Sequence, residues 1–457
     1  MKTAAKVSLN IAAAVAAILV FLAMNPAAPG SAQDDVQKRT LQVGPGKEFA
    51  RIEDAYEAAK PNDTIEVYPL PNNEPYRQVA LLVRKPGLDF LGMGTEGAKV
   101  CIDGGGFDYS GDGQVPRAIF QFDPEGGAAS LKNLKLINAH NSSHNGAGIR
   151  INAASGINVE HCEISGCDMG IMSNGMKGEA LNQDIFFSSI HDNGSLAEQG
   201  YGHNLYLGGE SVHIIGCEIY RSTSGHNLKS RARHTMIESS YIHDSANREL
   251  DIVDDGELTS EPGANAVVIG CIIVKAMDCP GNYGVIHFGQ DIGGSRNGTL
   301  YVINCNIATP FFTPVVTLNS PGANVVFGNC IFYNFGSEEK TALAAWDFGG
   351  ELKTRIDSCV ASPGFLIPPD MKATGNGLKP FPPEAVKDLP ADWLYRPVPG
   401  APLAGYGVPF SDLGLPYFEG KKDLFYVLHE YLHPASSKMR SDYPKTAIGA
   451  FEEEGET

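Results

Sequence analysis

Three short stretches of this chain concentrate polar side chains: YGHNLYLGG (201–209), SGHNLKSRARH (224–234) and NRELDIVDDGE (247–257). Lys229 can abstract a carbon-bound proton if nearby cations bring it below its usual pKa of about 10.4, and Arg231 and Arg233 are the cations next in the chain. A proton beside a carboxylate becomes removable once that carboxylate is neutralised, a task suited to Arg231, Asn204 and Asn227. Tyr206 can protonate a leaving oxygen. Together these residues describe β-elimination from an acidic sugar polymer, with Lys229, Arg231 and Tyr206 catalytic.

The same stretches allow other readings. Asp251 stacked against Lys229 opposes the base role, because a carboxylate favours the charged amine, and the column then becomes a structural ion-pair ladder, with the chain a non-catalytic carbohydrate-binding or surface β-helix protein. The acids Glu249, Asp251, Asp254, Asp255 and Glu257 offer oxygens for Ca²⁺, with Asp251, Asp254 and Asp255 as the expected ligands. They equally offer a carboxyl pair for glycoside hydrolysis. His203 and His226 have the parity of inward residues, so burial at the strand start is expected, each bonded to a neighbouring coil. With no third histidine in register, zinc is not expected. If the column binds substrate, Asn204, Asn227, His226, His203, Arg233 and Glu249 are its expected binding residues.

What positions these stretches is a repeat. A small residue recurs two places before an aliphatic one in HCEI, SSI, GCEI, SYI, GCII, NCNI and NCIF, giving markers Cys162, Ser188, Cys217, Ser240, Cys271, Cys305, Cys330 and Cys359. Their spacings of 26, 29, 23, 31, 34, 25 and 29 residues, in text rich in Gly and Asn with no helix per unit, fit a β-solenoid. The fold class expected is all-β, a right-handed parallel β-helix with an N-terminal helical cap and an irregular C-terminal tail. The shared position predicts that Cys162, Cys217, Cys271, Cys305 and Cys330 stack inward as small buried thiols, with Cys167 and Cys279 outside the stack.

A second strand per coil is read in GIRI, GIMS, NLYL, NLKS, ELDI and GVIH. Period-two alternation sends Ile149, Ile171, Leu205, Leu228, Leu250 and Val285 inward, and Arg150, Met172, Tyr206, Lys229, Asp251 and Ile286 outward. In-register stacking makes Tyr206, Lys229 and Asp251 one outward column and Asn204, Asn227 and Glu249 the next.

At the N-terminus, Lys2 and Lys6 precede an apolar run from Ile11 to Met24 and then small residues, the pattern of a signal peptide cut after Ala32. Export to the periplasm or medium is expected, without a membrane anchor. The net charge of −18 becomes −20 without those two lysines, since residues 1–32 contain no acid. That charge repels nucleic acid, which is not expected as a partner, and a polyanionic polysaccharide has to be met by a local basic cluster. The expected divisions are signal peptide 1–32, N-terminal cap and first coils 33–100, coils 101–360 and tail 361–457, in a monomer.

The segment LQVGPGKEFARIEDAYEAAKPNDTIEVYP resembles the entry of pectate-lyase-like β-helix proteins, with its V-G-P-G-K turn, a short helix from Ile52 to Lys60 and a D-T-I-x-V strand. The resemblance in architecture spans about residues 40 to 360. NLKS resembles the N-x-K-S segment of the chondroitinase B and alginate lyase family, in which the lysine is the base and an arginine one coil later assists. This implies the base role for Lys229. The in-register residue is Asp251, so Arg231, Arg233 or Arg248 must substitute for the assisting arginine. VDDG is similar to the Asp pair of polygalacturonases, whose other segments are not found in their expected order.

Overall fold

The computed structural model describes residues 38–112, 114–174, 181–336, 339–348, 353–380, 406–415, 417, 429–439 and 448–450. The leader expected at 1–32 lies outside them. Nearly every strand pairs in parallel with the equivalent strand one coil away, the signature of a parallel β-helix. Among the described residues one sheet has 23 strands and the other ten. A representative coil runs Ser211–Ile215, Glu218–Tyr220 and Leu228–Ser230; the next runs His234–Glu238, Tyr241–His243 and Leu250–Val253. Their registers are Ile214 on Ile237, Ile219 on Ile242 and Leu228 on Leu250, so like residues stack on like and the interior is a continuous aliphatic column.

The small-residue marker has a mechanical cause. Each marker follows a bend residue with positive φ: His161, Phe187, Gly216, Ser239, Gly270, Asn304, Asn329 and Ser358. A left-handed residue turns the chain sharply, and the next side chain enters a corner with little room. Cys, or Ser, fits. The thiols hydrogen-bond back to the preceding coil: Cys217 Sγ donates to the Ile185 carbonyl at 3.4 Å and Cys330 Sγ to that of Val302 at 3.2 Å. All nine cysteines are free, including Cys167 and Cys279. Burial pushes the Cys217 thiol up to about 12, which leaves it unreactive.

One strand departs from its predicted register. Ile286, not Val285, pairs with Leu250, which puts His287 in line with Asp251. Gly284 and Val285 belong to the turn, and a slip of one residue exchanges the faces of a strand. The helix Ile52–Ala58 packs Ile52, Ala55 and Tyr56 against the strands Thr40–Val43 and Thr64–Val67. It stops short of Lys60 because that residue precedes Pro61, and the α conformation is disfavoured there. Further along the chain, Leu413 and Leu415 cover Val267, Ile269, Ile303 and Val326, while Tyr431 and Ala450 cover Tyr241, Ile272 and Val274. The outer face of the larger sheet is therefore largely closed over these coils, and the ten-stranded sheet carries the polar column.

Candidate functional site

The column on the ten-stranded sheet is assembled by backbone pairing alone: Tyr206 on Lys229, Lys229 on Asp251, and Asp251 on His287. Stacked strands hold successive residues about 4.8 Å apart, close enough for each side chain to touch the next. Lys229 Nζ lies 3.0 Å from Asp251 Oδ2 and 3.0 Å from Asp291 Oδ2. Arg231 reaches the same Asp291 oxygen, and its Nε donates to Tyr206 Oη at 2.8 Å. Lys229 and Arg231 thus meet on one carboxylate oxygen, and Tyr206 joins them through Arg231.

Asp251 is 1% exposed and is held from several sides. His287 Nδ1 sits 2.8 Å from Oδ1 and Arg248 Nη1 donates to the same oxygen at 3.1 Å, while His226 Nε2 lies 3.3 Å from Oδ2. Burial alone would raise the Asp251 carboxyl, but the His287 hydrogen bond, the neighbouring His226 ring and the Lys229 charge outweigh it and hold the group well below the usual carboxylate range. Asp291 is also lowered: its partial burial is outweighed by the hydrogen bonds and charges of Lys229 and Arg231. His287 Nε2 continues the chain to Asn319 Oδ1 at 2.9 Å. The sequence reading missed His287 through the register slip. It also missed Asp291 and Asn319, which enter from turns that no periodicity marks.

His203 and His226 are buried and stack with ring centroids 5.1 Å apart. His203 Nδ1 accepts the His226 amide N–H at 2.9 Å, and His226 Nδ1 accepts that of Arg248 at 3.1 Å. Each neutral ring therefore carries its proton on Nε2. Burial pushes His226 down to about 4, and it lowers His203 as well, with the nearby Lys229 charge adding to the effect. They form a neutral buttress behind the column rather than a contact surface.

Three outward assignments are corrected. Asn204, Asn227 and Glu249 are fully buried. Asn204 Nδ2 donates to Asn227 Oδ1 at 2.8 Å and Asn227 Nδ2 donates to Glu249 Oε2 at 2.6 Å, while Lys275 Nζ closes the ladder 3.5 Å from Glu249 Oε1. These residues stand one position before strands that begin at Leu205, Leu228 and Leu250. Strand alternation does not extend into the bend, which turns their side chains to the interior. The ladder occupies them, so they are not available to a substrate carboxylate.

The remaining expected site residues are dispersed. Arg233 is directed toward Glu210, at 3.7 Å, and the Pro262 carbonyl, and makes no ion pair with the column among the described residues. Asp254 is fully buried and accepts the amides of Ile292 at 3.1 Å and Gly294 at 2.7 Å, together with that of Asp291. Asp255 accepts the amides of Glu257 and Leu258 at 3.1 and 2.7 Å. Two of the three carboxylates expected to bind Ca²⁺ are thus engaged by main chain and Asp251 by cations. Among the described residues no three His, Cys, Asp or Glu side chains are grouped to hold a metal ion.

Turn lengths differ along the column. Seven residues separate Tyr220 from Leu228 and six separate His243 from Leu250, whereas the turns at 192–204 and 275–285 on flanking coils are longer. Those longer turns carry the exposed side chains of Tyr201 and Tyr283.

No family model matches the chain. No curated protein matches it either. Among solved structures it is similar to pectate lyase Pel9A, with 14% identity over 91% of this chain and 97% of that one and a TM-score of 0.49. Pectin methylesterase from carrot gives 12%, 76%, 90% and 0.38 for the same four measures, and that from rice weevil 12%, 62%, 80% and 0.35. Likeness at these identities concerns the path of the chain.

Proposed function

We propose that this chain is an exported lyase that cleaves a uronate-containing polysaccharide by β-elimination. The observation that carries this reading is the meeting of Lys229 and Arg231 on one carboxylate oxygen, with Tyr206 held on Arg231. A substrate carboxylate bound there would be neutralised by Arg231 and would set its adjacent carbon-bound proton beside Lys229. The C–H electrons form the new double bond, the C–O bond to the leaving sugar breaks, and Tyr206 returns a proton to the leaving oxygen. Lys229 must act as the free amine. The Asp251 and Asp291 carboxylates, each 3.0 Å away, favour the charged amine instead, so the free amine has to form as substrate enters the column. Tyr201 and Tyr283 are suited to carry sugar rings at the rims.

Hydrolysis by a carboxyl pair is less well supported, because it needs one carboxyl held protonated at the substrate: Asp251 and Asp291 are held low, and Glu249, which burial raises, is enclosed in the interior ladder. The competing reading is a structural ladder, favoured by the burial of Asp251. The test is the ultraviolet absorbance of unsaturated ends on a panel of polyuronates, with and without Ca²⁺, for wild type and Lys229→Ala. Turnover in the wild type that falls by about 10²–10⁴-fold in a folded variant is expected for a lost base. Undiminished turnover in the variant would refute the assignment.

A further inference from the structure

The carboxylate between Lys229 and Arg231 belongs to the protein itself. Asp291 stands on the turn after the strand Ile286–Gly289, it is exposed, and its side chain bridges both cations. The turn is poised rather than packed: Ile292 is 59% exposed, Gly293 has φ +90 with nothing near its Cβ position, and the segment is tied down through its amides to the buried Asp254. Asp251 is a different case, being buried and held by four partners, three of them on neighbouring coils.

We infer that Asp291 is a built-in stand-in for the substrate carboxylate, which fills the Lys229–Arg231 site until a uronate displaces it and so restricts the site to anionic sugars. This rests on the reading of the column as a uronate site. The physical logic is competition: a site filled in cis binds an external ligand with its intrinsic affinity reduced to the fraction of time it is open. A neutral sugar offers the two cations nothing in exchange for Asp291, whereas a uronate replaces one carboxylate by another. The expelled Asp291 side chain becomes solvated at the exposed turn, while the nearly buried Lys229 and Arg231 stay paired with the incoming carboxylate.

The experiment is calorimetric binding of trigalacturonate and of a neutral trisaccharide to wild type, Asp291→Ala, Asp291→Asn and the double variant Asp291→Ala/Lys229→Met. Thermal unfolding of each checks that it is folded. Asp291→Ala is expected to bind trigalacturonate about 10-fold tighter than wild type, equivalent to about 1.4 kcal/mol. The isosteric Asp291→Asn should bind tighter as well, the double variant should lose the gain, and the neutral sugar should be unaffected. Equal or weaker binding by both single variants while folded overturns the inference, as does tighter binding of the neutral sugar. The two readings fail separately. Tighter binding without elimination products keeps the stand-in and removes the lyase, while elimination with unchanged affinity removes the stand-in alone.

Discussion

Asn227→Leu separates a substrate-binding asparagine from an interior one. In the fold Asn227 accepts from Asn204 Nδ2 at 2.8 Å and the Ser222 amide at 3.1 Å, and donates to the His243 carbonyl at 2.7 Å and Glu249 Oε2 at 2.6 Å. Leucine keeps the branched shape, with bulkier methyl groups, and removes all four bonds. Some partners retain others: Asn204 Nδ2 still reaches the Tyr220 carbonyl, the His243 carbonyl still accepts from the Arg221 amide, and Glu249 still accepts the Ser245 amide. The largest losses are the Ser222 amide, left without this acceptor, and the charge-assisted bond to Glu249. At about 1–3 kcal/mol for a stranded buried group and a similar amount for a bond to a charge, the expected destabilisation is about 3–4 kcal/mol. Urea unfolding followed by circular dichroism measures it, and Michaelis constants on a polyuronate measure the site in the folded fraction. A loss below about 1 kcal/mol combined with a tenfold rise in KM would refute the interior ladder and return Asn227 to the substrate.

The column also predicts a pH response. Burial depresses His226 to about 4 from an ordinary 6.5, so below that ordinary value the unfolded chain takes up a proton that the native ring refuses. Its contribution is complete above the unfolded pKa and is lost as pH falls toward about 4, up to about 3 kcal/mol at 1.36 kcal/mol per pH unit. Unfolding midpoints measured down that range should fall, and should fall less in His226→Gln; parallel curves would count against the assignment. Asp254→Ala removes the anchor of the turn that carries Asp291. Cleavage within 290–294 by a nonspecific protease is expected to accelerate about tenfold or more, since three bonds to a charged acceptor are lost and 1.4 kcal/mol is already tenfold. An unchanged rate would mean that the turn is held by something else.

The repeat was legible in the chain because each coil imposes the same local demands. A left-handed bend, a small residue in the corner and an aliphatic residue two places on recur whatever the turns between them do, and parallel pairing then fixes which residues stack. That is why Tyr206, Lys229 and Asp251 could be placed in one column from spacing alone. Alternation is a property of strands, however, and it misassigned Asn204, Asn227 and Glu249, which sit one residue outside them. It also slipped by one at Val285, where a turn of different length precedes the strand. Asp291 and Asn319 come from turns, whose path depends on what they pack against rather than on period. The chain by itself set the coil, the inward column and the line of polar residues across it. Only the tertiary structure decided that Lys229 and Arg231 share a carboxylate, because that contact joins residues about 60 apart through a turn held by Asp254, and no local rule connects them.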